Sequence, residues 1–351
     1  MIAAAKRLGV EWLGAKRLEA KLLGAKRSSP RAPGDDPGGQ AVSSGWERFW
    51  FAPQPTSSLA LVRVCFGLVA LGWTASLAPD LEGFFGHVGL LSGEPRDAGV
   101  WGVLAVFHGD LAVQLLFAVL LLSCLALTIG YQTRLAAVLV FVGILSLERR
   151  DPYVFNTGDS LVRLIAFYLM LAPAGAALSL DRWRANRERF WECPPRAPWA
   201  LRLMQIQLSI LYLAGLWIKV QGTTWNDGTA VSYSMRVSDL TRFPLPGFLT
   251  HSMLLANVMT FGTLALELSI PILVWSRRLR PWVLLAGVCL HLGIEYSIRV
   301  GFFSAAMLTL YVSFLDPKWA AARLLALRDA GRRRRSPAKD PARSPAAVPE
   351  H

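Results

Sequence analysis

Long apolar runs are the feature that most constrains the fold of this chain. Eight mostly apolar segments alternate with polar loops, at about 57–78, 110–130, 134–147, 159–180, 200–220, 250–275, 281–298 and 301–315. About 20 apolar residues cross a bilayer as a helix, and a backbone inside lipid must satisfy its own hydrogen bonds. The sequence therefore predicts an all-α integral membrane protein, a polytopic bundle of about eight transmembrane helices in contact with the lipid bilayer.

The composition agrees with a membrane protein and argues against other classes. Hydrophobic residues make up 53% of the chain and charged residues 17%, against roughly 25% charged residues in soluble domains. The net charge of +13 would suit nucleic acid, but no recognition module is visible, so we expect no nucleic-acid partner. The four cysteines and five histidines show no spacing typical of a metal site, and we predict none.

Basic residues are distributed in a way that predicts the orientation of the chain. They concentrate before the first segment, after the fourth, after the sixth and in the tail, within residues 6–48, 182–196, 277–280 and 332–335. Cytoplasmic loops of membrane proteins carry an excess of Lys and Arg. With eight crossings and both termini in the cytoplasm, all four groups lie on the cytoplasmic side. The pair Arg149 and Arg150, flanked by Glu148 and Asp151, is the exception.

Three regions are predicted along the chain. Residues 1–56 form a basic, low-complexity cytoplasmic leader, partly disordered, in which Ala-Lys-Arg recurs every ten residues. An amphipathic segment on anionic lipid and an upstream, non-native start codon both explain that repeat. Residues 57–318 form the transmembrane domain. Residues 319–351 form a basic, disordered cytoplasmic tail, because Arg, Pro and Ala dominate there.

One apolar segment carries polar residues at a regular spacing. Gln205, Tyr212 and Lys219 are each seven residues apart, which is two helical turns, so they share one stripe of a helix. Trp225 and Asp227 follow in a polar turn. Lys219 at a helix end is consistent with an ammonium group that extends to the membrane surface, with Trp225 as an interfacial anchor. An amine buried in such a segment is also typical of a partner or a reaction site.

Other ionisable residues are predicted at the level of Lys219 in the outer half of the bilayer. They are Asp159, Arg163, His291 and Glu295. The first two are four residues apart, as are the last two, so each pair shares a helix face. Glu267 lies deeper. Because unpaired charges are costly in lipid, we expect these groups to converge or to line a wet cavity. Ion pairs that hold helices together would explain the same residues, and the sequence leaves both interpretations open.

Three stretches together resemble a known family. They are FNTGDSLVRL (155–164), QIQLSILYLAGLWIKVQGTTWNDG (205–228) and HLGIEYSIRVGFFSAAML (291–308). In this order they look like the HTTM, or horizontally transferred transmembrane, domain, over about residues 50–318. Bacterial membrane proteins share that domain with the membrane part of vitamin K-dependent gamma-carboxylase. The resemblance implies a multi-pass protein of a bacterial inner membrane.

The resemblance also implies a chemistry and a site. Lys219 is at the position of the base that deprotonates vitamin K hydroquinone in the carboxylase, and His291 matches a carboxylase histidine, so both are catalytic candidates. The implied cofactor is a reduced quinone of the vitamin K or menaquinol type. The residues expected to line the cavity or bind substrate are Asn156, Asp159, Arg163, Gln205, Tyr212, Trp225, Asp227, Glu267 and Glu295.

The chain departs from the carboxylase pattern at several points, which keeps more than one function open. Lys219 is a single lysine, no histidine follows Asn156, and a basic tail follows Asp316 where the carboxylase has a peptide-binding domain. One hypothesis is quinol-dependent chemistry of the lyase or carboxylase type. Another is a non-catalytic accessory or immunity-type protein for a secreted peptide or membrane-protein partner. A transporter is the third, and the residues leave open whether the chain is an enzyme.

Overall fold

The computed structural model describes residues 44–87, 89, 101–107, 109–243 and 245–335. The leader up to residue 43 and the tail from residue 336 lie outside the described residues. The α-helices of the described part are α1 (Gly45–Phe51), α2 (Ser57–Ser76), α3 (Leu81–Phe85), α4 (Val103–Val106), α5 (Asp110–Ile129), α6 (Thr133–Arg150), α7 (Thr157–Leu171), α8 (Leu180–Ala185), α9 (Trp199–Lys219), α10 (Thr223–Asn226), α11 (Ala230–Ser234), α12 (Gly247–His251), α13 (Met253–Leu273), α14 (Arg280–Ser297), α15 (Phe303–Val312) and α16 (Pro317–Arg335).

Shorter elements connect the helices. Three 3₁₀ turns are described, at Ala78–Asp80, Ala174–Ala176 and Arg187–Trp191. Two strands of two residues, β1 (Gln54–Pro55) and β2 (Pro195–Arg196), pair antiparallel. The protein is therefore almost wholly helical over the residues described.

The predicted apolar segments coincide with helices α2, α5, α6, α7, α9, α13, α14 and α15, which we call the principal helices. Four helical stretches of the described residues are long and apolar enough to cross a bilayer by themselves, namely Ser57–Phe85, Asp110–Ile129, Trp199–Lys219 and Met253–Leu273. This supports the prediction of an all-α integral membrane protein. The shorter α15 is an apolar helix of ten residues.

Helix α15 lies at the centre of the bundle. On one side, α2 packs on α5, α5 on α6 and α6 on α7; on the other, α13 packs on both α9 and α14. Helix α15 contacts α2, α7, α9 and α14. Its residues Ser304, Met307, Leu310 and Tyr311 are buried. A helix surrounded by other helices can be apolar on all sides, which explains why α15 shows no polar face.

Helix α7 is shorter than the predicted segment 159–180. It ends at Leu171, two residues before Pro173, and the chain continues in the 3₁₀ turn Ala174–Ala176. Proline lacks an N–H and disfavours helix in the preceding residue, so a helix ends there. The guanidinium of Arg63, buried in α2, donates to carbonyl oxygens after the break, at 3.0 Å to Ala174, 3.1 Å to Ala177 and 2.5 Å to Leu178.

The tail predicted as disordered from residue 319 instead begins as helix α16. Asp316 caps this helix, because one of its carboxylate oxygens accepts from the backbone N–H of Lys318 at 2.9 Å and of Trp319 at 3.0 Å. Ala, Leu and Arg are good helix formers. Helix α16 packs on α2, and the Ser57 hydroxyl donates to the carbonyl of Pro317 at 2.6 Å.

Candidate functional site

Lys219 and Glu267 form an ion pair between helices α9 and α13. The ammonium nitrogen of Lys219 lies 2.6 and 2.8 Å from the two carboxylate oxygens of Glu267. It also lies 5.3 Å from the centre of the Trp225 ring, within cation–π distance. The exposed fraction of the side chain is 26% for Lys219 and 9% for Glu267. The amine predicted to be a partner or reaction site therefore has a defined partner, with one face left accessible.

Local structure fixes the direction of the Lys219 side chain. The side chain folds back along α9, and a Cβ placed on Gly215, one turn earlier, would lie 3.7 Å from the ammonium nitrogen. Trp225 belongs to the short helix α10, which brings its ring over the ammonium group. The turn closes at Gly228, whose φ of 74° lies in the left-handed region that glycine adopts readily. Asp227, predicted to bind substrate, is exposed beside this turn.

The ion pair borders a cavity of about 620 Å³ between α13 and α14. Most of the wall is apolar, formed by Val258, Met259, Leu266, Leu290, Ile294 and Phe303 among others. Among the described residues that line it, only Lys219 and Glu267 are charged. Such a site, apolar with a few polar groups at one place, is the usual form of a small-molecule pocket.

His291 belongs to a separate hydrogen-bonded cluster behind the wall of this cavity. Its Nε2 lies 2.8 Å from the hydroxyl of Tyr212, which also bonds to the hydroxyl of Tyr311. The His291 ring packs edge-on against Phe303, which does line the cavity. A Cβ on Gly287 would overlap the Tyr311 hydroxyl, so glycine is needed there. Nδ1 of His291 is buried with no hydrogen-bond partner among the described residues.

Asp159 and Arg163, which could pair on one helix face by their spacing, bond to different partners in the structure. Arg163 instead forms an ion pair with Glu148 of α6. Asp159 accepts from the backbone N–H of Asn156 at 2.7 Å and from the indole N–H of Trp73 at 2.8 Å. Asn156 in turn caps the start of α7, so this end of α7 is a capping box. A carboxylate directed at the helix terminus faces away from a residue one turn later.

Asp159, Arg163, His291 and Glu295 do not line the cavity beside Lys219. The structure gives them separate partners, and the ion pairs of Arg163 and Glu295 fit the alternative of ion pairs that hold elements together. Glu295 pairs with Arg242 at 2.5 Å. Arg242 lies in the segment between α11 and α12, and its backbone N–H donates to the carbonyl at the end of α14. Sequence reasoning missed the partners Trp73, Glu148, Arg242 and Tyr311, since each lies on a different element that only tertiary packing brings close.

Gln205 lies near the opposite end of α9 from Lys219. Its side-chain amide donates to the carbonyl of Ser313 at 2.6 Å, and its oxygen accepts from Arg202 at 2.8 Å. Fourteen residues of helix separate it from Lys219, which corresponds to about 21 Å. Gln205 therefore shares the predicted stripe with Tyr212 and Lys219 but not the cavity.

Comparison with known proteins agrees with the fold. The model of the HTTM domain matches residues 51–319, most of the chain. No curated protein and no solved structure matches the chain. The chain belongs to the HTTM domain family.

Proposed function

We propose that this protein binds a lipid-soluble molecule with an acidic hydroxyl, of the reduced-quinone type, and removes a proton from it at Lys219 and Glu267. The observation that carries the proposal is the position of this ion pair. It supplies the only charges among the described residues around an apolar cavity of about 620 Å³. An apolar tail fits against the wall, and a hydroxylated ring can reach the charged end.

The residues present fit a reduced quinone. The cavity volume lies within the range of about 300–1,000 Å³ of small-molecule pockets, and aromatic and aliphatic side chains such as Trp225, Phe303 and Leu266 line it. When bound, a reduced quinone would supply an oxidisable ring with acidic hydroxyl groups. The protein supplies a dry wall for the ring, a cation for the resulting anion and an acceptor for the proton.

The ion pair defines how Lys219 takes part. A protonated amine has no lone pair, so Lys219 accepts a proton only after giving its own to Glu267. The alternative route delivers the hydroxyl proton to Glu267 directly, while the Lys219 ammonium stabilises the anion. In both routes the pair gains one proton and both residues are needed, as is typical of paired acid–base groups in low-dielectric sites.

We further propose that all eight principal helices cross a bacterial inner membrane, with both termini in the cytoplasm. The arrangement of the arginine-rich loops supports this orientation. It sets the end of α9 that carries Lys219 toward the periplasm. A lipid-soluble substrate would then react near the outer surface of the membrane.

A second candidate function is a non-catalytic accessory or immunity-type protein for a secreted or membrane partner. The observation that favours it is the same ion pair, because a contact between α9 and α13 can serve to hold the two helices together. In that case replacing Lys219 would lower stability, and no quinol would be consumed.

The experiment that separates the two functions uses membranes containing the whole protein. Reduced vitamin K or menaquinol is added with oxygen, and formation of quinone epoxide is measured. We expect Lys219→Met and Glu267→Gln to lower the rate at least about 100-fold, the usual effect of removing an acid–base group. Arg242→Met is the matched control, since it breaks the ion pair with Glu295 outside the cavity. No epoxide from folded wild-type protein with either quinol would favour the accessory function.

A further inference from the structure

A second cavity, of about 560 Å³, lies at the opposite end of α9 and is rich in positive charge. We call it the basic cavity. It lies between the start of α9, the turn from α13 to α14 and the turn from α15 to α16. Its cationic side chains are Arg202, Arg277, Arg280 and Lys318.

Negative charge in the basic cavity is insufficient to neutralise these cations. Asp316 is the only acidic residue among the described residues that line it. One of its carboxylate oxygens already accepts from two backbone N–H groups at the start of α16. The four cations therefore outnumber the acidic side chains among the described residues that line the cavity. Like charges held close together repel one another, and binding of an anion among them would relieve that repulsion.

Two of the arginines are held in place by uncharged groups. Arg202 donates to the carbonyl of Phe49 at 3.3 Å and to the side-chain oxygen of Gln205 at 2.8 Å. Arg280 donates to the carbonyls of Val274 at 2.8 Å and Phe314 at 3.3 Å. These contacts orient the guanidinium groups and leave their charge in place.

Aromatic rings complete the wall. The guanidinium of Arg202 lies 4.7 Å from the centre of the Phe49 ring, and that of Arg280 lies 5.8 Å from the Phe314 ring. Trp275 also lines the cavity, and its ring contacts both phenylalanines. Aromatic and basic residues together at the end of apolar helices are typical of the headgroup level of a membrane.

We propose that the basic cavity binds a phosphate group, either the headgroup of an anionic phospholipid or a free phosphate compound. Guanidinium groups match the geometry and charge of phosphate oxygens, and a lysine adds a further donor. The exposed Arg277 and Lys318 would reach the phosphate from the side of the water, in addition to the two oriented arginines. The site is independent of the proposed quinol chemistry, since about 21 Å of helix separates Gln205 from Lys219.

The test compares variants of the whole protein that lose positive charge inside or outside the basic cavity. Arg277→Gln together with Lys318→Gln removes two charges that line the basic cavity. Arg278→Gln removes the neighbouring charge of the same exposed turn, which does not line the cavity. None of these residues holds the Arg202 and Arg280 contacts, so the variants are expected to fold.

Binding is measured in two arms. In the first, the protein sits in nanodiscs of zwitterionic lipid with increasing anionic phospholipid, and lipids retained by the protein are counted by native mass spectrometry. In the second, inorganic phosphate and pyrophosphate are added in zwitterionic detergent, and the midpoint of thermal unfolding is recorded.

We expect the double variant to bind about 25-fold more weakly than wild type, roughly fivefold for each lost charge, and Arg278→Gln to match wild type. Selective loss of anionic phospholipid assigns the site to a headgroup, and selective loss of the midpoint shift with phosphate or pyrophosphate assigns it to a free phosphate compound. Equal binding by wild type and the double variant in both arms would overturn the proposal.

Discussion

Gly215 determines where the ammonium group of Lys219 can lie. A Cβ at this position would lie 3.7 Å from the ammonium nitrogen, an ordinary contact distance. Alanine therefore fits and, as a better helix former, should stabilise the protein by about 0.5–1 kcal/mol. Any longer or branched side chain would occupy the space that the ammonium group uses to reach Glu267.

We predict that Gly215→Val lowers quinol turnover about tenfold or more while the protein remains folded. Displacing the ammonium group separates it from Glu267, and the misplacement of a reacting group by about 1 Å can cost about 100-fold. Turnover and the thermal unfolding midpoint of the two variants are compared with wild type. Equal turnover for Gly215→Val and Gly215→Ala would show that the position of the ammonium group is unimportant.

Some of the site could be predicted from single residues and some could not. Helical spacing put Tyr212 and Lys219 on one stripe, and the structure places both on α9 with polar partners. The partners themselves were not predictable, because Glu267 and Tyr311 come from helices that only tertiary packing brings together. Spacing alone also suggested a pair of Asp159 and Arg163, since it does not distinguish a carboxylate on the helix face from one that caps the terminus.

At the scale of single elements, the capping box of α7 gives two predicted site residues a structural explanation. Asn156 and Asp159 satisfy backbone N–H groups at the start of this helix. Asp159 also accepts the indole N–H of the buried Trp73. Neither residue lines the cavity beside Lys219.

We predict that Asp159→Ala destabilises the protein by about 1–3 kcal/mol, the usual effect of leaving a buried donor unsatisfied. Turnover per folded molecule should remain that of wild type, because the cavity keeps its wall and its ion pair. Thermal unfolding in detergent gives the first quantity, and the epoxide assay normalised to folded protein gives the second. Asp159→Asn keeps an acceptor oxygen, so its stability should fall between that of wild type and that of Asp159→Ala. A large drop in turnover per folded Asp159→Ala molecule would place this residue in the reaction after all.

At the scale of the whole molecule, the apolar runs predicted where the helices lie but not how they are arranged. The eight apolar segments form the eight principal helices. Burial in lipid or protein requires apolar side chains and a backbone that satisfies its own hydrogen bonds, as a helix does. The central position of α15 was not predictable, since a short apolar run looks the same whether it faces lipid or other helices. Helix α16 was not predicted, because the basic composition of this region indicated disorder. Its stabilising features are the cap at Asp316 and the contact with α2, and composition does not report either of them.

The orientation of the whole protein is predicted from the basic loops and can be measured. Ser238 lies in the connection that precedes α12, and Ser276 lies in the turn between α13 and α14; both are exposed. Because Arg277, Arg278 and Arg280 adjoin Ser276, the excess of positive charge should hold that turn in the cytoplasm. Ser238 then faces the periplasm.

We expect a membrane-impermeant maleimide to label Ser238→Cys in intact spheroplasts and Ser276→Cys only after lysis, each in a background with the four native cysteines replaced by alanine. The matched pair controls for reactivity, because both cysteines should react fully once the membrane is broken. Labelling of Ser276→Cys in intact spheroplasts would reverse the orientation. It would also place the Lys219 end of α9 on the cytoplasmic side, where a quinol would be deprotonated at the inner surface of the membrane instead.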